Sequence, residues 1–271
     1  MVTSGTALNN SAKTPKFSWD EKISRAQKLS GDSAATNTTK EILALYIRFT
    51  KFQRAISNGL SGTDHPDITA LLEFLPDLRK LVTTIGSAPL QQAIETIGKD
   101  PGRWTEMLLQ YWEQQPEPET PAEALLAYLL LQPYAQHMTS QMQVHADTSS
   151  PICPACGNAP DLSLLRDYNN GAKRSLLCSL CATEWEFRRV LCPNCGEQHK
   201  DKLPVFTAEE IQQARVEACE SCKTYIKCID LSKDGYAIPQ VDDLATLALD
   251  LWAQEQGYSR QQPNMYLLPS S

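Results

Sequence analysis

The chain has 271 residues, with 25 basic and 32 acidic side chains and a formal charge of −7, which excludes the positive excess of a general nucleic-acid binder. Hydrophobic residues make up 42% and charged residues 21%, ordinary globular usage with room for one large or two small domains. The longest apolar run, Ala124 to Leu131, has eight residues, far short of the roughly 18 needed to suggest a bilayer-spanning helix.

Met1 to Ser18 is polar and lacks the cationic start and apolar stretch of a secretory signal, so a cytoplasmic protein with reduced thiols is expected. Residues 1–38 read as a polar, partly disordered leader, loosely docked, with a short helix from about Pro15 to Leu29. Residues 39–148 read as an all-helical domain. Ile42, Leu45, Tyr46, Phe49, Phe52 and Ile56 recur at helical spacing, and Gly59 sits where a C-cap glycine is expected. Ile68, Leu71, Leu72 and Leu75 continue the pattern, and Pro76 is expected to end or kink that helix. Leu90 to Ile97 and Trp104 to Trp112 form further apolar stripes. Thr120-Pro121-Ala122-Glu123 supplies a cap, a first-position proline and a capping-box glutamate, and Pro133 should interrupt the helix that follows, with a last turn to about Val144. The aromatic stripes read as core.

Beyond Ser149-Ser150-Pro151 the texture changes to short β-like segments between cysteines, such as Thr183 to Phe187 and Thr224 to Ile229. All nine cysteines fall between Cys153 and Cys228. Eight form C-x-x-C pairs: Cys153/Cys156, Cys178/Cys181, Cys192/Cys195 and Cys219/Cys222. Two cysteines three apart can converge on one tetrahedral ion, and a second pair completes a four-thiolate site. The pairs also repeat. Cys153-Pro154-Ala155-Cys156-Gly157 matches Cys192-Pro193-Asn194-Cys195-Gly196, and Cys178 to Thr183 resembles Cys219 to Thr224, at offsets of 39 and 41 residues. Such a repeat implies two similar modules with one metal each: Cys153, Cys156, Cys178 and Cys181 in the first (149–190), Cys192, Cys195, Cys219 and Cys222 in the second (191–234). Disulfides are disfavoured by compartment and a thioredoxin-like motif by the number of pairs; an interleaved pairing of the first knuckle with the third stays open. C-P-x-C-G knuckles serve rubredoxins and zinc ribbons alike, so the metal is iron or zinc.

The remaining candidates read blandly. His199, four residues after Cys195, is a solvated loop histidine beside a complete shell; His65, His137 and His145 are dispersed. Cys228 reads as a small core residue. Helical spacing returns in Leu244, Leu247, Ala248, Leu251 and Trp252 with Gly257 as a stop, so 235–271 reads as a C-terminal helix and a tail whose Met265-Tyr266-Leu267-Leu268 patch can dock back. The fold class is therefore α+β, a helical N-terminal domain followed by two tandem rubredoxin-like or zinc-ribbon modules and a C-terminal helix.

No phosphate loop, nucleophile elbow or metal-hydrolase motif is present, and two closed four-sulfur shells offer no open coordination position, so no enzyme is expected. Residues 151–229 hold ten basic and ten acidic side chains, which favours a protein partner over nucleic acid. Polar loops such as Asp161 to Lys173, on modules held rigid by metal, are expected to present the recognition surface. A zinc-ribbon nucleic-acid binder, which would need Lys173, Arg174, Arg188 and Arg189 on one face, and a rubredoxin-like electron carrier are the alternatives.

Leu177 to Trp185 followed by Cys192-Pro193-Asn194-Cys195, together with Glu217 to Tyr225, Val241 to Leu247 and Gln256-Gly257-Tyr258, resembles the formate dehydrogenase accessory protein family, FdhE. Leu177 stands where some members have histidine. The resemblance implies a cytoplasmic, non-catalytic maturation factor that binds the catalytic subunit of formate dehydrogenase before export. It also implies two rubredoxin-like modules, with iron favoured as the metal.

Overall fold

The computed structural model describes residues 17–114, 120–140, 142, 147–168 and 171–267. The chain opens with α1 (Trp19–Ser30), which begins in a capping box: the Ser18 hydroxyl accepts from the Glu21 N–H, and the Glu21 carboxylate accepts from the Ser18 N–H at 2.7 Å. This segment is no loosely docked leader. It packs on α2 (Asn37–Leu60) and buries Lys22, Ile23, Arg25 and Ala26. Residues 1–16 lie outside the described residues.

Gly59 is not a C-cap. The helix runs past it to Leu60; a Cβ at Gly59 would meet the Phe74 ring at 2.6 Å, so the missing side chain admits a close approach of the chain there. Ile68–Phe74 forms a 3-10 turn that passes directly into α3 (Leu75–Ile85). Pro76 therefore opens a helix as much as it closes one, since a first-turn proline lacks only an N–H that would have no helical partner anyway. The helices α4 (Ala88–Ile97), ended by Gly98 at φ 75°, and α5 (Pro101–Trp112) follow as the apolar stripes suggested.

The capping box at Thr120 and Glu123 starts α6 (Pro121–Thr139), which continues through Pro133 instead of stopping there. Every residue from Leu125 to Ala135 is buried, and α6 packs against α2, α4 and α5. Burial on all sides holds the helix together across the lost backbone hydrogen bond. Residues 143–146, where the last turn was expected, lie outside the described residues.

After the helical layer come β1 (Pro160–Tyr168), β2 (Gly171–Cys178), β3 (Glu184–Glu186), β4 (Val205–Ala208), β5 (Ile211–Ala218) and β6 (Thr224–Asp230). Residues 161–168 and 171–173 thus lie in paired antiparallel strands with Leu162, Leu164 and Leu165 buried, not in a polar recognition loop. The sheet order is β3-β2-β1-β6-β5-β4, with β7 (Ser259–Arg260) also paired to β6. The repeat explains this order. Each module contributes an antiparallel strand pair and a third strand after its second knuckle, so β1, β2 and β3 correspond to β4, β5 and β6. The two triplets join through one parallel pairing, Leu162–Leu165 beside Lys227–Asp230. Thus β3 is an edge strand of three residues, whereas its counterpart β6 is central and buried.

The sheet lies between two apolar cores. Leu176 and Ile226 join Phe49, Trp104, Leu130 and the rest of the helical layer. Leu162, Leu164, Leu177, Val216, Tyr225 and Ile229 pack against Leu249 and Ala253. The C-terminal segment holds two helices instead of one, α7 (Pro239–Ala245) and α8 (Leu247–Glu255), broken at Thr246. Buried Lys227 explains the break: its Nζ donates to the carbonyls of Asp243 (2.8 Å) and Thr246 (3.2 Å) and pairs with the Asp243 and Asp250 carboxylates. The tail then returns to the helical layer, where Tyr266 packs on Tyr46, Phe49 and Tyr128 with ring centroids 5.0 to 6.0 Å apart.

Candidate metal centres

Each knuckle is a backbone turn built for sulfur. At the first, the Cys153 N–H donates to the Asn158 carbonyl, Gly157 N–H donates to the Cys153 carbonyl and Ala155 N–H points at Cys153 Sγ at 3.4 Å. The third knuckle repeats all three with Cys192, Glu197, Gly196 and Asn194. Gly157 and Gly196 both stand at φ 77°, the left-handed conformation that glycine adopts without steric cost. The second and fourth knuckles need the same turn but fill it with Ala182 at φ 57° and Lys223 at φ 56°. There the threonine two residues beyond the last cysteine adds a contact: Thr183 Oγ1 lies 3.1 Å from Cys181 Sγ and Thr224 Oγ1 lies 3.0 Å from Cys222 Sγ. The repeated threonines were visible in sequence as a pattern, but their contact with sulfur was not.

The knuckles pair sequentially. Cys153, Cys156, Cys178 and Cys181 form one group and Cys192, Cys195, Cys219 and Cys222 another, with the sulfurs of each group within 4.8 Å of one another. The interleaved arrangement does not occur. Cys156 Sγ lies 3.4 Å from both Cys178 and Cys181, and Cys153 lies 3.6 Å from Cys181. In the second group Cys192 is 3.8 Å from Cys222 and Cys195 is 3.6 Å from Cys219. A disulfide would bring sulfurs to about 2.05 Å. A tetrahedral ion at about 2.3 Å from each sulfur sets edges of about 3.8 Å. The quartets fit the ion, and each could hold one.

Protonation favours the same reading. The thiols around Cys156, led by Cys153, stabilise its thiolate and pull it down, while burial pushes Cys178 up. In the second quartet burial pushes Cys192 up to about 12. Burial also opposes ionisation of Cys222, but hydrogen bonds led by the Thr224 hydroxyl bring it down to about 6. Within each group some thiols are favoured and others resisted as thiolates, so four thiolates together require a cation among them.

The surroundings of the two quartets differ. The first is enclosed where the sheet meets the helical layer: Cys153, Cys178 and Cys181 belong to the same core as Trp104 and Leu130. Gln114, just past α5, reaches within 3.1 Å of where a Gly157 Cβ would stand. The second quartet is nearer solvent, with Cys195 exposed and Cys222 half-buried. Glu197 staples its two knuckles, accepting from Ser221 Oγ (2.5 Å) and from the Gln198 and His199 N–H groups (2.9 Å each). These bonds, led by Ser221, hold its carboxyl down at about 2.

His199 is exposed and stays outside the quartet, and Cys228 is buried. The four cations of the nucleic-acid alternative do not share a free face. Lys173 pairs with Glu186 at 2.7 Å, Arg174 is buried against Glu217 at 2.8 Å, and Arg188 donates to Gln198. Among the described residues no helix is long and apolar enough to cross a membrane.

A helical layer carrying two four-cysteine modules fused into one sheet, with both sulfur quartets formed, defines a class: a tandem-ribbon protein whose two clusters could each hold a metal ion. Residues 152–189 match the family model of the FdhE central domain and residues 190–267 that of the FdhE C-terminal domain. The FdhE homolog of Aquifex aeolicus is 44% identical over 114 residues, 41% of this chain and 40% of that protein. FdhE of Escherichia coli is 37% identical over 118 residues, 43% of this chain and 38% of that protein. The matched stretch thus spans less than half the length of these relatives. The crystal structure of the FdhE protein from Pseudomonas aeruginosa is similar at a TM-score of 0.70 and 25% identity, covering 96% of this chain and 100% of that one. The chain is similar to the FdhE family over residues 152–267 and to an FdhE crystal structure over nearly its whole length.

Proposed function

We propose that this protein is a non-catalytic accessory factor for formate dehydrogenase, that it works in the cytoplasm, and that it binds the catalytic subunit of that enzyme before export. Each quartet holds one metal ion, with iron favoured over zinc by the family resemblance, and the ions brace the modules that meet the partner. One observation carries this reading: the stretch that matches the family, residues 152–267, is the stretch that contains both sulfur quartets. Four sulfurs satisfy a tetrahedral ion completely, leaving no position for water or substrate, so the ions serve structure and recognition in place of turnover.

The test is capture of the catalytic subunit from a cytosolic fraction by the tagged, metal-loaded chain. The proposal expects the subunit in the captured material and no formate oxidation by the chain alone. A folded, metal-loaded chain that captures no catalytic subunit overturns it. The exposure of Cys195 favours a second reading, an electron carrier, whose signature is a reversible visible band from thiolate-to-iron charge transfer.

A further inference from the structure

A cavity of about 480 Å³ opens between the two modules beside the second quartet, with Cys192 and Cys219 in its wall. At its base Arg174 and Arg215 both pair with Glu217, at 2.8 and 2.6 Å. Two further cations line it, Arg189 and Lys200. Both are exposed, and neither has an ion pair among the described residues. The cavity lining stays net positive even with a divalent ion in the neighbouring quartet, although the whole chain carries −7. Two of the protein's exposed large apolar side chains stand at this cavity as well: Val190, 42% exposed, and Val205, 50% exposed. Unpaired cations beside exposed valines on an otherwise acidic protein form a surface selective for one kind of partner.

We propose that this cleft is a peptide-docking site that takes an extended segment of a partner protein carrying carboxylates beside an apolar side chain. The carboxylates meet Arg189 and Lys200 at the mouth, and the apolar side chain covers Val190 and Val205. The cavity lies in the 300–1,000 Å³ range of sites that enclose a ligand, so it admits side chains while the peptide backbone runs across it. The acidic remainder of the surface repels the same segment and directs it to the cleft. The identification of the partner as the catalytic subunit rests on the proposed function above; the chemistry of the cleft does not.

The test has two arms, both with the full, metal-loaded chain. The first follows the fluorescence anisotropy of a short fluorescein-labelled peptide alternating glutamate and leucine, and of its twin with glutamine for glutamate. Saturable binding of the acidic peptide is expected, weakened about tenfold by Arg189→Glu with Lys200→Glu. Lys51→Glu in α2 with Lys99→Glu in the turn after α4, both exposed and with the same charge change, should leave it unchanged. Equal binding of the glutamine twin, equal binding by the cleft variant, or no saturable binding overturns the proposal. The second arm compares capture of the formate dehydrogenase catalytic subunit. Capture by wild type and reduced capture by the cleft variant supports the cleft as its dock, and equal capture by both overturns that role alone. Failure of wild type to capture the subunit overturns the proposed function, while the peptide arm still decides the cleft.

Discussion

Ala182 and Lys223 hold a left-handed backbone that costs an L-residue about 1–2 kcal/mol, whereas Gly157 and Gly196 hold it freely. The structure places nothing within 4 Å of a Cβ added at Gly196, so Gly196→Ala should cost about 1 kcal/mol through backbone strain alone. Lys223→Gly should recover a similar amount; thermal unfolding of the metal-loaded variants measures both. A second residue-scale prediction concerns Asp161. Its Oδ1 is sealed from solvent and has no hydrogen-bond partner among the described residues, and burial raises its pKa to about 7, against the opposing pull of Arg260. A carboxyl raised in the folded state favours folding below its unfolded pKa and loses that contribution as pH rises towards the folded value. Wild type should therefore lose about 2 kcal/mol between about pH 5.5 and 7 relative to Asp161→Asn, with no further divergence above that range. Urea unfolding of the pair across pH reads the difference. None of this was legible in the sequence, because a strand carboxylate shows its enclosure only once α1 and the C-terminal tail are in place.

At the scale of elements, what could be read depended on whether a signal was local. Caps, helical stripes and knuckles are local, and the Thr120 capping box, α4, α5 and all four C-x-x-C turns stand where the sequence puts them. The β1–β2 pairing was missed because Asp161 to Lys173 alternates imperfectly and its strands gain their apolar partners from β6 and α8. Pro133 misled because a helix buried all round tolerates a break that an exposed one does not. The place of α1 was hidden for a different reason. It is tied down from 217 residues away, where Arg25 donates to both carboxylate oxygens of buried Asp242, at 3.0 and 2.5 Å, and also reaches Asp234. Arg25→Ala leaves the buried Asp242 carboxyl without the guanidinium that opposes its desolvation, and should cost about 3–5 kcal/mol. Denaturant unfolding measures the loss, and a variant within about 0.5 kcal/mol of wild type would show that α1 is not held by this pair.

Across the whole molecule, the two modules are neither separate beads nor equal. The parallel pairing of β1 with β6 makes one sheet of two repeats, and the first quartet shares a core with the helical layer while the second faces solvent at Cys195. The tandem repeat was legible from the 39- and 41-residue offsets; the shared sheet was not, because parallel strand pairing between repeats leaves no mark on spacing. The arrangement predicts unequal behaviour. A chelator should take the metal from the outer quartet first, with the helical signal in far-ultraviolet circular dichroism unchanged, and the inner metal should leave only as the domain junction opens. Simultaneous release of both would contradict that order. The central claim, two separate four-cysteine centres, is tested most directly by the metal-to-chain ratio of the full protein beside that of a Cys192→Ser, Cys195→Ser variant. The account predicts two metals falling to one, with the inner centre and the fold retained. An unchanged ratio, or loss of both metals from a chain that remains folded, would contradict it.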